Sequence, residues 1–187
     1  MNTAKSKDDG TSKQSETKKK AKKKAKKQER AASATPATLA LGELGFPYAL
    51  HSYQHDPDSE SYGSEAAEKL KVDSRRVFKT LITELEDQPT VALLPVTGQL
   101  NFRALAAAAG VKRGEMAAPA TAERLSGYRL GGISPLGMKK RLPVIMDASC
   151  MHFPTVMVSA GRRGLELEVQ PQHLIDALHA RIAPITH

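Results

Sequence analysis

Gly131-Gly132-Ile133-Ser134-Pro135-Leu136-Gly137 holds three glycines, a serine and a proline within seven residues. Glycine lets the backbone approach a ligand closely and take positive φ, while Pro135 fixes one dihedral and biases Ser134 towards an extended shape. Such a composition fits an ordinary tight turn. It also fits, less commonly, a nest of consecutive backbone N–H groups aimed at one carbonyl oxygen or anion. A second segment, Val77-Phe78-Lys79-Thr80-Leu81-Ile82, reads as a strand. The two-residue period puts Lys79 on the face of Val77 and Leu81, and Phe78, Thr80 and Ile82 on the other. Both faces are then largely apolar. A lysine there needs an anion or dipole within reach, or an edge position from which its ammonium meets water.

Together these two segments resemble the signatures of the YbaK family of Cys-tRNA(Pro) deacylases. His51-Ser52-Tyr53-Gln54-His55-Asp56 upstream and Val158-Ser159-Ala160-Gly161-Arg162-Arg163-Gly164 downstream fit the same pattern in the same order. The resemblance runs from about Phe46 to the end of the chain. It implies a single α/β (α+β) domain whose curved, mixed, largely antiparallel sheet forms a partial barrel with short helices outside. The implied activity is cleavage, in trans, of the ester joining cysteine to the terminal adenosine of tRNA(Pro). These deacylases are similar to the editing domain inserted in bacterial prolyl-tRNA synthetases, which struggle to exclude cysteine because it is close to proline in size. The implied partners are aminoacylated tRNA and prolyl-tRNA synthetase, without a cofactor. Residue by residue, the resemblance sets Lys79, Gly131, Gly132 and Ser134 at the catalytic centre and Tyr53, Thr80, Ser159 and Gly161 around the substrate. Two rivals stay open: a deacylase for another small residue such as alanine, and a non-catalytic module that binds aminoacylated tRNA or a synthetase.

Charge is divided unevenly along the 187 residues. Residues 1–34 carry 11 Lys and one Arg against four acidic residues, whereas 35–187 carry 16 basic and 16 acidic side chains. The whole net charge of +8 therefore belongs to the Lys-rich segment. Its composition lacks the apolar residues needed to offset ordering entropy, so residues 1–34 are expected to be a disordered arm and 35–187 the deacylase domain. A like-charge block of this kind suits RNA phosphates, and also suits a merely solubilising tail. In the neutral body the densest basic run is Lys139-Lys140-Arg141, a candidate tRNA-phosphate contact beside the glycine loop or else a solvated turn.

The single cysteine, Cys150, excludes an intrachain disulfide and a Cys-rich zinc site, which fits a cytoplasmic protein. It lies outside every motif and reads as a small buried hydrophobe. No apolar run reaches the roughly 20 residues of a membrane span, and no secretory h-region follows the lysines. His51, Tyr53 and His55 share a strand face without a third strong ligand, so no metal is expected.

Periodicity and caps predict helices over 38–44 (ended by Gly45), 65–70 (capped by Ser64), 102–109 (capped by Asn101, closed by Gly110), 119–125 and 171–180. Strands are expected over 48–55, 77–82, 90–96, 143–147, 153–159 and 165–169, with turns at Glu86-Asp87-Gln88-Pro89 and Gly161-Arg162-Arg163-Gly164. In the last strand Leu165, Leu167 and Val169 alternate with Glu166 and Glu168. The motifs hold no Gly-x-Ser-x-Gly elbow, HExxH or Walker loop. A cation, backbone N–H groups and hydroxyls stabilise negative charge on an oxygen rather than supply a nucleophile, a set suited to ester cleavage.

Overall fold

Val77–Leu85 (β2) and Gln88–Pro95 (β3) form the hairpin at the middle of the sheet, paired from Phe78↔Pro95 to Leu85↔Gln88. The computed structural model describes residues 34–59 and 62–187, so the expected disordered arm falls outside the described residues except for Ala34. The link between β2 and β3 is shorter than the sequence suggested. Glu86 takes φ +46 and Asp87 completes a two-residue turn, so the partner strand begins at Gln88 rather than Thr90.

Alternate residues of β3 enter different cores. Val91 and Leu93 pack on one face with Phe78 and Ile82, while Ala92 and Leu94 pack on the other with Leu85, Leu105 and Ile185. Burial on both faces is why this strand reads as a continuous apolar run rather than an alternation. Beyond β3 lie the parallel strands Val144–Asp147 (β5) and Arg181–Ala183 (β8). On the other side of β2 come Val156–Arg162 (β6), Leu165–Val169 (β7) and Ala49–Ser52 (β1). The sheet order is β1-β7-β6-β2-β3-β5-β8, with Gly114–Met116 (β4) paired to β2, and the sheet does not close. It is mixed, with β2 and β6 parallel and the hairpins antiparallel.

Five helices surround it among the described residues: Pro36–Leu44 (α1), Tyr62–Leu70 (α2), Phe102–Ala109 (α3), Pro119–Ser126 (α4) and Pro171–Leu178 (α5). Asn101 caps α3 through a 3.1 Å bond from the Ala104 N–H, and Gly110 closes it at φ +78. Two helix starts differ from expectation. Helix α1 begins at Pro36 because Thr35 and Thr38 form a reciprocal capping box. Helix α2 already runs from Tyr62, so Ser64 lies inside it rather than at its cap. The three-residue strands β4 and β8 were not anticipated; they are too short to show a period. Thr35–His187 packs as one compact unit. Among the described residues, no helix is long and apolar enough to cross a membrane.

One feature of this topology creates the site. Strands β6 and β4 share the same edge of β2: β6 pairs only at Val77 and Phe78, and β4 only at Thr83 to Leu85. Between them, Lys79 to Leu81 has no strand partner on that edge, and the sheet splits.

Candidate active site

The split opens into a cleft of about 300 Å³, lined from β2 by Val77 to Leu81, from α2 by Tyr62 and Gly63, from the glycine loop by Gly131 and Ile133, and from β6 and β7 by Ser159 and Glu166. Lys79 is the cleft's cation. Its Nζ donates to the Gly98 carbonyl at 2.7 Å, and burial pulls its pKa below the usual lysine value. The sequence asked whether this lysine meets a dipole or reaches water; it meets a carbonyl dipole. The neighbouring Thr80 also lines the cleft, and its buried Oγ1 has no hydrogen-bond partner among the described residues. The Ser159 hydroxyl accepts the Gly161 N–H at 3.3 Å.

The glycine loop contributes backbone. Gly131 sits at φ +80, and a Cβ there would lie 2.7 Å from the Tyr62 ring, so the position requires glycine on both counts. The loop's four residues are not equivalent. The Gly132 N–H already donates to the Arg129 carbonyl at 3.0 Å, and its Cα faces the Arg162 backbone rather than the cleft. Ser134 is fully buried, and its Oγ accepts the Leu136 N–H at 3.3 Å. The N–H groups of Gly131, Ile133 and Ser134 meet no acceptor among the described residues.

Glu166, like Tyr62, is a cleft residue that the sequence did not reveal. Val158 and Leu167 enter the main core, so their neighbours Ser159 and Glu166, paired across β6 and β7, turn to the opposite face, where Val77 and Lys79 also point. A bulge between Ser159 and Arg162, with Gly161 at φ +99, shifts the hairpin register beside the cleft. The Glu166 carboxyl is buried without a hydrogen-bond partner among the described residues, and burial pushes its pKa up to about 8. Tyr53 does not line the cleft. Burial raises its phenol to about 12, helped by the charges of Glu166 and Glu65. Gly161 lies behind the wall, where a Cβ would come within 2.6 Å of the Tyr128 ring.

Tyr62 forms the wall facing the glycine loop. The Arg163 guanidinium lies 4.5 Å from its ring centroid and also donates to the Leu130 carbonyl at 2.9 and 3.0 Å. Helix α2 is tied to the strand β1 region by Glu65, which accepts from His55 at 2.8 Å and from the Asp56 N–H at 2.6 Å, and pairs with Lys69 at 3.0 Å. Burial alone would raise the Glu65 pKa, but these bonds outweigh it and hold the carboxyl at about 2. His51 instead pairs with Glu168 at 2.7 Å, so the two histidines serve separate carboxylates.

Lys139, Lys140 and Arg141 are exposed and do not line the cleft. Backbone bonds from Lys139 to Ser126 and from Lys140 to Leu125 dock this segment on the end of α4. Cys150 is fully buried in the main core, where burial, with the nearby Asp147 charge, pushes its thiol up to about 11.

This geometry has relatives. Residues 56–177 match the model of the aminoacyl-tRNA editing domain. A candidate Cys-tRNA(Pro)/Cys-tRNA(Cys) deacylase of Enterococcus faecalis, EbsC, is 35% identical over 141 residues, covering 75% of this chain and 85% of that one. The proline–tRNA ligase of Streptococcus suis is 28% identical over 108 residues, covering 58% of this chain but 17% of the ligase. Among solved structures, a candidate trans-editing enzyme for prolyl-tRNA synthetase superposes with a TM-score of 0.70 at 20% identity, covering 84% of this chain and 96% of that one. With the family model spanning more than half of its length, this chain belongs to the aminoacyl-tRNA editing domain family.

Proposed function

We propose that the cleft receives the 3′-terminal aminoacyl-adenosine of a mischarged tRNA, cysteinyl-tRNA(Pro) in particular, and releases the amino acid by cleaving its ester. The observation that carries this reading is that Lys79 lines one cleft with Gly131 and Ile133, glycine-loop residues whose N–H groups meet no acceptor among the described residues. In an acyl transfer the carbonyl oxygen gains negative charge, and preorganised donors stabilise that charge more than the neutral ester. Gly131 and Ile133 supply the N–H groups, Lys79 supplies the positive charge, and buried Ser134 holds the turn through its bond from the Leu136 N–H. Gly132 acts as the close-packed support of the loop. Thr80 and Ser159 offer hydroxyls to the substrate. The similarity to EbsC and to a segment of proline–tRNA ligases supports tRNA(Pro) as the RNA and editing of another enzyme's product as the task.

Two nucleophiles are compatible with this arrangement. The substrate's own thiol can attack the carbonyl: a C–S bond forms, the C–O bond to the ribose breaks, and the thiol proton passes to the departing oxygen. Water is the second, and Glu166 gives it a specific advocate, since a carboxyl with a pKa of about 8 is matched to general-base work near neutrality. Lys139, Lys140 and Arg141 hold phosphates of the acceptor stem, and the Lys-rich residues 1–34 add non-specific attraction for RNA. The protein works in the cytoplasm, where charged tRNA is made, and needs no cofactor. The deciding experiment offers the purified protein tRNAs carrying Cys, Ala, Ser and Pro and scores release of each amino acid. Release of cysteine from tRNA(Pro) in preference to proline is expected. Binding without release of any of them would reduce the protein to an RNA-binding module.

A further inference from the structure

The ammonium of Lys79 is held by a carbonyl on a separate turn, and that turn is held in place from the far end of the chain. Gly98, whose oxygen accepts from Lys79 at 2.7 Å, lies flush against Thr186: a Cβ on Gly98 would stand 2.9 Å from the Thr186 Cγ2. On either side of this contact, backbone bonds lock the two segments together. The His187 N–H donates to the Gln99 carbonyl at 3.1 Å, the Asn101 N–H donates to the Ile185 carbonyl at 2.8 Å, and Leu100 and Thr186 form a β-bridge. Thr186 has an anchor of its own in the sheet. Its hydroxyl donates to Asp147 Oδ2 at 3.1 Å, and the same oxygen accepts the Ile185 N–H at 2.9 Å. Asp147 is itself buried at the end of β5, fixed by the Ser149 N–H at 3.0 Å.

We propose that Thr186, braced by Asp147, is a positioning residue for Lys79, fixing the Gly98 turn whose carbonyl aims the ammonium into the cleft. A flexible four-carbon side chain in a partly buried site points wherever its best acceptor stands, so moving that acceptor moves the charge. The contact sequence Asp147–Thr186–Gly98–Lys79 has one link per residue and no slack in its middle step, where glycine is the only residue that leaves room for the threonine methyl. Residues 185–187 lie beyond the family's matched span, which ends at residue 177, whereas Gly98 and Asp147 lie within it. A role in catalysis rests on the assignment of Lys79 in the preceding section; the control of its placement does not.

The test is a mutual-rescue experiment in the full chain. Gly98→Ala forces its new methyl against Thr186, and Thr186→Ser removes the methyl it strikes while keeping the hydroxyl for Asp147. Two readouts are taken: the rate of acylation of Lys79 by acetic anhydride across pH, read by mass spectrometry, and kcat and KM for deacylation. Gly98→Ala is expected to change Lys79 labelling and lower kcat about ten- to a hundredfold with little change in KM, the scale expected for about 1 Å of misplacement. Adding Thr186→Ser should restore both. Thr186→Val, which keeps the methyl but loses the Asp147 bond, should give a milder defect of the same kind and serves if Gly98→Ala does not fold. Arg181→Ala, which frees the same region from Ala108 without touching the Gly98 turn, should leave Lys79 labelling unchanged. Unaltered Lys79 labelling in folded Gly98→Ala and Thr186→Val proteins, or a double variant no better than Gly98→Ala, overturns the proposal. Labelling that shifts and is rescued while kcat stays constant sustains the positioning link and instead removes Lys79 from the chemistry.

Discussion

Lys79 and Glu166 line one cleft without forming an ion pair. The ammonium bonds to the Gly98 carbonyl, the carboxyl has no hydrogen-bond partner among the described residues, and each has its pKa shifted by burial alone, downward for Lys79 and upward for Glu166. Neither group neutralises the other, so both remain available to a substrate that brings its own charge and its own hydrogen-bonding atoms. A cleft that holds a partly buried cation beside a buried, uncharged acid is expensive to maintain in a folded protein, which argues for use rather than architecture.

Lys79→Ala is expected to abolish most deacylation while leaving the fold intact, because the side chain is only partly buried and β2 keeps its pairing to β3. Losing a charged donor to a developing oxyanion costs on the order of a hundredfold in rate. Single-turnover rates with Cys-tRNA(Pro), beside a circular-dichroism melt, give the answer. A well-folded variant with near-normal rates would disprove the assignment of this cleft.

Glu166→Gln is expected to change how stability depends on pH. The unfolded chain ionises this carboxyl near 4.5 and the folded protein near 8, so the native state holds the extra proton between those values. Stability from this group is therefore complete below about pH 4.5 and is lost as pH rises towards 8. Glutamine cannot ionise. Denaturant midpoints measured at pH 5, 7 and 8.5 should diverge progressively in favour of the variant, and parallel pH profiles would show that Glu166 is ionised in the folded protein throughout.

The uneven legibility of this cleft has a physical cause. Lys79 was visible because a cation inside an apolar strand violates the strand's pattern, and Gly131 because positive φ and close packing leave a compositional mark. Glu166 left none. Its place in Leu165-Glu166-Leu167-Glu168-Val169 matches that of any half-exposed strand, and only the split between β6 and β4 turns its face into a cleft wall. Gly132 and Ser134 show the converse: a motif marks four consecutive residues, but the turn presents some of them to the cleft and uses the others to hold itself together. Burial on both faces made the central hairpin easy to read, whereas β4 and β8 are held by their neighbours and carry no period of their own.

Removal of residues 1–34 is expected to weaken binding of tRNA and flatten its salt dependence without altering which amino acid is released. That segment holds the chain's entire net charge, and the slope of log K against log salt follows the number of phosphates neutralised. Replacing Lys139, Lys140 and Arg141 with glutamine should reduce the slope by a further increment on full-length tRNA and have no effect on a short aminoacyl-adenosine substrate. Filter-binding titrations between low and high salt decide both points; unchanged slopes would mean that neither segment touches RNA.

The nucleophile is the remaining question, and the contrast between cysteine and serine answers it. Water activated by Glu166 would treat Cys-tRNA(Pro) and Ser-tRNA(Pro) alike once both are bound, because it attacks the carbonyl and ignores the side chain. A substrate thiol would not. It is partly ionised near neutrality and intrinsically more nucleophilic than a hydroxyl, and a confined cleft can hold it at the near-attack distance of about 3–3.5 Å. The opposing consideration is strain, since this attack closes a four-membered thiolactone, which explains why geometry has to be enforced by the cleft walls rather than left to chance. Buried Cys150, with its thiol raised to about 11, offers no competing protein nucleophile, so Cys150→Ser should turn over at the parental rate. The expected outcome is therefore cleavage of Cys-tRNA(Pro) much faster than Ser-tRNA(Pro) at saturating enzyme. Equal single-turnover rates for the two substrates would exclude the thiol and leave water, with Glu166 as its base, as the attacking group.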